Sequence, residues 1–200
     1  MGHECGLVKM LGYNIAMANS EKRDRISRIE ALQELWQHSR RVGKLAVALG
    51  REFNLKRNQS EVLRRAAMWH DVGKLFMIRL VSGNGSLTAE EREKLRYHPA
   101  LGVLLVGLWL GSTGREVVMQ HHEQPNGLGY PRGLREDQIH PLAGILAVAD
   151  HYDALASDRC YRKRFKLSKV IQMLEDEAAL GILNPGVVEK AVKLWGNGVR

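Results

Sequence analysis

Apolar residues recur at intervals of three and four along most of this chain, and no stretch shows the sustained alternation of a strand. From about Ile26 to Phe53, the series Ile29, Leu32, Leu35/Trp36, Val42, Leu45, Leu49 and Phe53 draws one stripe along a long helix. Asn54–Arg57 breaks it. Asn58 with Glu61 has the form of a capping box opening a helix through Val62, Leu63 and Ala66–Met68 to His70. After a loop at Ser82–Ser86, Thr88 with Glu91 forms a second box. Pro99 suits the first position of a helix, which makes His98 its cap. That helix, Leu101–Leu110, is apolar nearly all round and is expected to be buried. Gly111–Gly114 is expected to turn the chain into Arg115–Glu123. Pro141–Ser157 is a further apolar helix, Ser168 caps one to about Leu180, and Asn184-Pro185 starts the last. Residues 7–19 read as a short apolar helix weakened by glycine. The pattern predicts one all-α domain over 26–200, with a helical extension over 1–25.

Composition supports a globular chain of 200 residues, 44% hydrophobic and 26% charged. Cys5 and Cys160 lie far apart and give neither a disulfide framework nor zinc-ribbon spacing, which points to a reducing, cytoplasmic setting. The N-terminus lacks the pattern of a signal peptide, and no continuous apolar run reaches membrane-spanning length, so no membrane partner is expected. The net charge of +8 admits a polyanionic ligand. DNA or RNA would call for a basic, aromatic-laced stripe, and none stands out beyond 159–166.

Chemistry concentrates in a few places. His121-His122-Glu123 runs into a Gly/Pro loop ending Gly129-Tyr130-Pro131, and adjacent imidazoles suit first-row transition metals. His70-Asp71 puts an imidazole and a carboxylate at a helix end, with Lys74 one turn on. His38, His98 and Asp150 complete a set of seven candidate ligands that holds five of the eight histidines. Any one alone reads more simply as a structural hydrogen-bonder; seven together do not. Glu34, one turn before His38, fits a ligand or a solvated glutamate equally well. Glu123 and Asp153 are expected to support the ligands rather than bind metal. The tryptophans, Trp36, Trp69, Trp109 and Trp195, read as core or flank.

HDVGK at His70–Lys74 resembles the signature of the HD phosphohydrolase superfamily. Together with LTAEE, His98-Pro99, His121-His122-Glu123, Gly129-Tyr130-Pro131 and ADHYDALASDR at Ala149–Arg159, it resembles the HD-GYP family from roughly Glu34 to Val188. The resemblance implies a helical HD-type domain with the metal site in its bundle core. It implies two or three divalent ions, iron or manganese by donor type, and hydrolysis of cyclic di-GMP to linear pGpG or GMP through a metal-bridging hydroxide. By the same resemblance His38, His70, Asp71, His98, His121, His122 and Asp150 are ligands, Asp71 the bridge, and Glu34 a ligand to a third ion. Lys74 stands near the scissile phosphate, Arg159, Tyr161 and Arg162 hold the dinucleotide, and Tyr130 shapes the site. The segment after Lys74, Asn126, Cys160 and Arg162 depart from the family pattern, Asn126 being the departure nearest the chemistry. The same centre acting on another cyclic dinucleotide or nucleotide, or a non-catalytic signalling module, are the alternatives. A regulatory protein or a homodimer is the expected source of control.

Overall fold

The computed structural model describes residues 28–81, 87–158 and 163–196. The expected 7–19 helix, the 1–25 extension and the candidate substrate residues Arg159, Tyr161 and Arg162 lie outside them. Among the described residues the structure is all-α, with one isolated bridge, Asn126 to Arg135. The helices are α1 (Arg28–Arg51), α2 (Arg57–Trp69), α3 (Ile78–Val81), α4 (Ala89–Leu95), α5 (His98–Gln120), α6 (Pro141–Ala156), α7 (Leu167–Ala179) and α8 (Pro185–Trp195). A 3-10 turn, Val72–Met77, follows α2.

The core sits around α6, where Leu142, Ala143 and the run Ile145–Ala149 are all buried. A helix buried on every side needs partners on every side, and α1, α2, α5, α7 and α8 supply them. The stripe read along α1 faces this core through Val42, Ala46 and Leu49. Trp195 closes the far end, its ring 4.2 Å from that of Tyr152.

Several local expectations shift. The N-terminus of α2 is set by Lys56, whose backbone N–H donates to Gln59 Oε1 at 2.9 Å. Glu61 turns instead to Arg64 at 2.7 Å, because an arginine one turn on offers it a charged partner. The Thr88–Glu91 box forms as expected, with bonds of 3.2 and 2.8 Å. His98 is the first residue of α5 rather than its cap. Helix α7 begins at Leu167, one residue before Ser168, while Asn184 caps α8 by accepting from the Val187 N–H at 3.0 Å.

The larger correction concerns α5. Leu104, Leu105, Leu108 and Trp109 are exposed, Leu108 almost fully at 96%. This half of α5 lies at the edge of the bundle, against α2 and the 3-10 turn, so only the side carrying Gly102, Gly107 and Leu110 is buried. A window within Ala89–Gln120 is apolar enough to cross a membrane by length and composition alone, although Gly111 interrupts the helix there. The break expected at Gly111–Gly114 is present: Gly111, at φ 73° and ψ 176°, is non-helical and kinks α5 between the part that ends at Leu110 and the part that runs on to Gln120.

Candidate metal centre

Five segments bring the candidate ligands together: His38 from the middle of α1, His70-Asp71 from the end of α2, His98 from the start of α5, His121-His122 from its end, and Asp150 from α6. The approach is close because position 73 has no side chain. A Cβ on Gly73 would lie 1.9 Å from the carbonyl oxygen of His98, so the 3-10 turn rests directly on the first turn of α5.

Asp71 stands at the centre. Its Oδ2 lies 3.5 Å from His70 Nε2 and 3.6 Å from His38 Nε2, and its Oδ1 lies 3.2 Å from His98 Nε2 and 3.9 Å from His121 Nε2. Two donor groups share it: Asp71 with His98, His121 and His122, and Asp71 with His38 and His70. Asp150 Oδ1 adds to the second, 3.0 Å from His38 Nε2 and 3.8 Å from His70 Nε2.

The imidazoles are fixed from outside. His70, His98 and His121 place Nδ1 2.7, 2.6 and 2.6 Å from the backbone carbonyls of Ala67, Leu95 and Val118. A carbonyl can only accept, so each Nδ1 carries the proton and each Nε2 lone pair points inward. His38 is held likewise by Asp153, with Nδ1 2.7 Å from Oδ2. The inward atoms then confront one another: His98 Nε2 and His121 Nε2 are 3.3 Å apart, and His70 Nε2 and Asp71 Oδ1 are buried without a hydrogen-bond partner. Facing lone pairs repel, and buried polar atoms without partners cost free energy. Cations between them resolve both problems, so the residues present fit two metal ions.

Electrostatics prepare the donors. Burial, with neighbouring imidazoles adding to it, holds His121 and His122 well below the usual histidine range and therefore neutral. Burial works against ionising Asp71, but Lys74, 2.6 Å from Oδ2, and His70 outweigh it and keep the carboxyl well below its ordinary value. Asp150 is held well below by His38 and His70, again against burial. His38 departs from this pattern: burial opposes charging it, yet bonds to Asp150 and Asp153 raise it to about 9, so a bound ion would displace its proton.

The loop after His122 walls one side. Glu123 is buried and accepts the backbone N–H groups of Arg132 and Leu134 at 2.6 and 2.8 Å, bonds that brace the loop rather than a candidate ligand. A Cβ on Gly129 would meet the Gln124 nitrogen at 2.3 Å, so the loop lies on the His122–Gln124 backbone. Tyr130, preceding a cis proline, stacks on His122 at 4.7 Å between ring centroids. Asn126 turns away from the chemistry. Its Nδ2 donates to the Leu180 carbonyl at 3.1 Å and its Oδ1 accepts from the Leu128 N–H at 2.9 Å, because both the loop and the α7–α8 link offer it backbone partners.

Glu34 stands apart from both donor groups, its Oε1 3.1 Å from Arg41 Nη2. Two residues escaped the sequence reading. Arg41 binds Asp153, and its spacing of three from His38 and seven from Glu34 on one helix face is the signal that places it. Arg96 sets its guanidinium 5.0 Å over the Tyr130 ring, which nothing in the local sequence marks.

A family model described as HD domain matches residues 22–185. A cyclic di-GMP phosphodiesterase of Thermotoga maritima is 34% identical over 166 residues, 80% of this chain and 45% of that protein. The Vibrio cholerae 3'3'-cGAMP-specific phosphodiesterase 3 is 32% identical over 141 residues, 70% of this chain and 31% of that protein. The chain therefore spans less than half the length of these relatives. An HDG"Y"P protein from Bdellovibrio bacteriovorus shares the fold with a TM-score of 0.67 at 23% identity, covering 81% of this chain and 52% of that one.

Proposed function

The chain belongs to the HD-domain family, and on that footing we propose that it is a metal-dependent phosphodiesterase opening cyclic di-GMP in second-messenger signalling. The observation that carries this reading is Asp71, whose two carboxylate oxygens each face a separate set of inward-pointing donors. Two divalent ions held there would lower the pKa of water to near neutrality and offset charge on the phosphoryl oxygens. A donor set of imidazole and carboxylate without thiolate suits iron or manganese. Seven residues make the ligand set: His38, His70, Asp71, His98, His121, His122 and Asp150. Glu34 would serve a third ion by leaving Arg41.

The remaining side chains bind and orient. Lys74 keeps Asp71 ionised and, about a quarter exposed, reaches a phosphate oxygen beside it. Tyr130 gives the dinucleotide an aromatic wall, and Arg159, Tyr161 and Arg162 grip its phosphates and bases. Hydrolysis of one diester bond gives pGpG, and a second cut gives GMP. The Vibrio relative's name supports 3'3'-cGAMP as a second candidate substrate.

The test is direct. Protein purified without oxygen, loaded with iron or manganese and assayed for metal content, is incubated with cyclic di-GMP and with 3'3'-cGAMP. Turnover of the first to pGpG or GMP is expected. Turnover of 3'3'-cGAMP alone would transfer the reading to that substrate, and turnover of neither by the loaded protein would refute the enzyme.

A further inference from the structure

The two donor sets that flank Asp71 are unequal. On one side stand three imidazoles, His98, His121 and His122, and the outer nitrogens of His98 and His121 rest on neutral backbone carbonyls. On the other side a second carboxylate, Asp150, joins His38 and His70, and the outer nitrogen of His38 rests on a third carboxylate, Asp153. An imidazole backed by a carboxylate is a stronger donor than one backed by a carbonyl, and carboxylate charge adds directly to cation affinity.

Building on the two-metal reading, we propose that the two positions fill in order, the His38/His70/Asp150 position first, and that Asp153 is the positioning residue that widens the difference between them. Arg41 fixes Asp153 for this role. Its Nε lies 2.7 Å from Oδ1 and its Nη2 3.1 Å from Oδ2, a fork that sets the carboxylate plane, while Ser157 Oγ donates to Oδ1 at 3.0 Å. Oδ2 is thereby aimed at His38. One contact opposes the ordering: Lys74 draws on Asp71 Oδ2, the oxygen turned toward His38 and His70. Lys74 carries a full positive charge, but it lies on the carboxylate that both positions share and so weakens both, whereas Asp150 joins one of them alone, so the order stands.

The experiment is titration of the metal-free protein with manganese(II) alone, followed by the electron paramagnetic resonance of free ion and by competition with a chelating dye. Wild type is expected to show two resolved steps. His70→Ala should remove the tight step and His121→Ala the weak one. Asp153→Asn should weaken the tight step about 10- to 100-fold, the range for loss of a supporting carboxylate, and leave the weak step in place. Should Asp153→Asn fold poorly, Arg41→Lys keeps the charge but loses the fork, and should weaken the tight step alone. Two equal steps in wild type, or equal weakening of both by Asp153→Asn or Arg41→Lys, would overturn the ordering while sparing the two-metal reading. A single step that saturates at one ion per chain would overturn the two-metal reading itself.

Discussion

In the histidine cluster, His70 Nε2 and Asp71 Oδ1 are buried without partners, and His98 and His121 turn lone pairs on each other at 3.3 Å. In the loop beside it, Glu123 takes two backbone N–H groups, and the Asn126 side chain both donates and accepts. Both regions are rich in polar atoms, yet one holds its bonding capacity open and the other has spent it on itself. A folded chain tolerates open capacity where something else will fill it. The contrast therefore separates residues that bind from residues that shape.

Asp71→Ala should break the contrast most severely. Both donor groups lose their shared member, so metal content should fall to background and turnover by about a thousandfold or more; elemental analysis with a hydrolysis assay would show it, and unchanged turnover would refute the bridging role. Glu123→Gln keeps the volume but offers one acceptor oxygen where two N–H groups donate to a buried side chain. It should lower stability by about 1–3 kcal/mol, read by urea denaturation, and raise KM more than it lowers kcat, with metal content retained. Loss of metal would move Glu123 from wall to ligand. Asn126→Asp replaces the donor to the Leu180 carbonyl with an acceptor, at a cost of about 1 kcal/mol. A drop in kcat with unaltered stability would return that position to the chemistry.

The smallest effect concerns His140, whose Nδ1 accepts the Leu142 N–H at 3.1 Å and caps α6. Burial, against the pull of Glu116, lowers its pKa below the ordinary 6.5. A depressed folded-state value means that the unfolded chain binds the proton more readily. The stability it contributes is present above pH 6.5 and is lost as pH falls through the folded value. His140→Asn keeps a capping acceptor and should flatten that part of the pH–stability curve; an unaltered curve would show that His140 is not its source.

How legible the molecule was follows the same division. The clustering of the candidate donors could be read because imidazole and carboxylate declare their chemistry and because the motifs fix their company. The helical stripes could be read where the core lies on one side, as in α1. The exposure of Leu104, Leu105 and Leu108 could not, since periodicity records how apolar a face is and not what stands opposite it. The α2 cap was misplaced because Glu61 had a competing arginine, and Arg41 was missed because its two partners lie on different helices.

The missing side chain at position 73 also bears on time. With the 3-10 turn lying against the backbone of His98 and Gly102, the backbones that carry Asp71 and His98 stay in register while the turn is seated. Lifting the turn from the helix, a local unfolding event, would separate the two and open a route for an ion held between them. Residence of the metal is thus expected to be governed by how often that seam opens, so that release under chelator should slow with every stabilisation of the seam and reach a rate independent of chelator concentration.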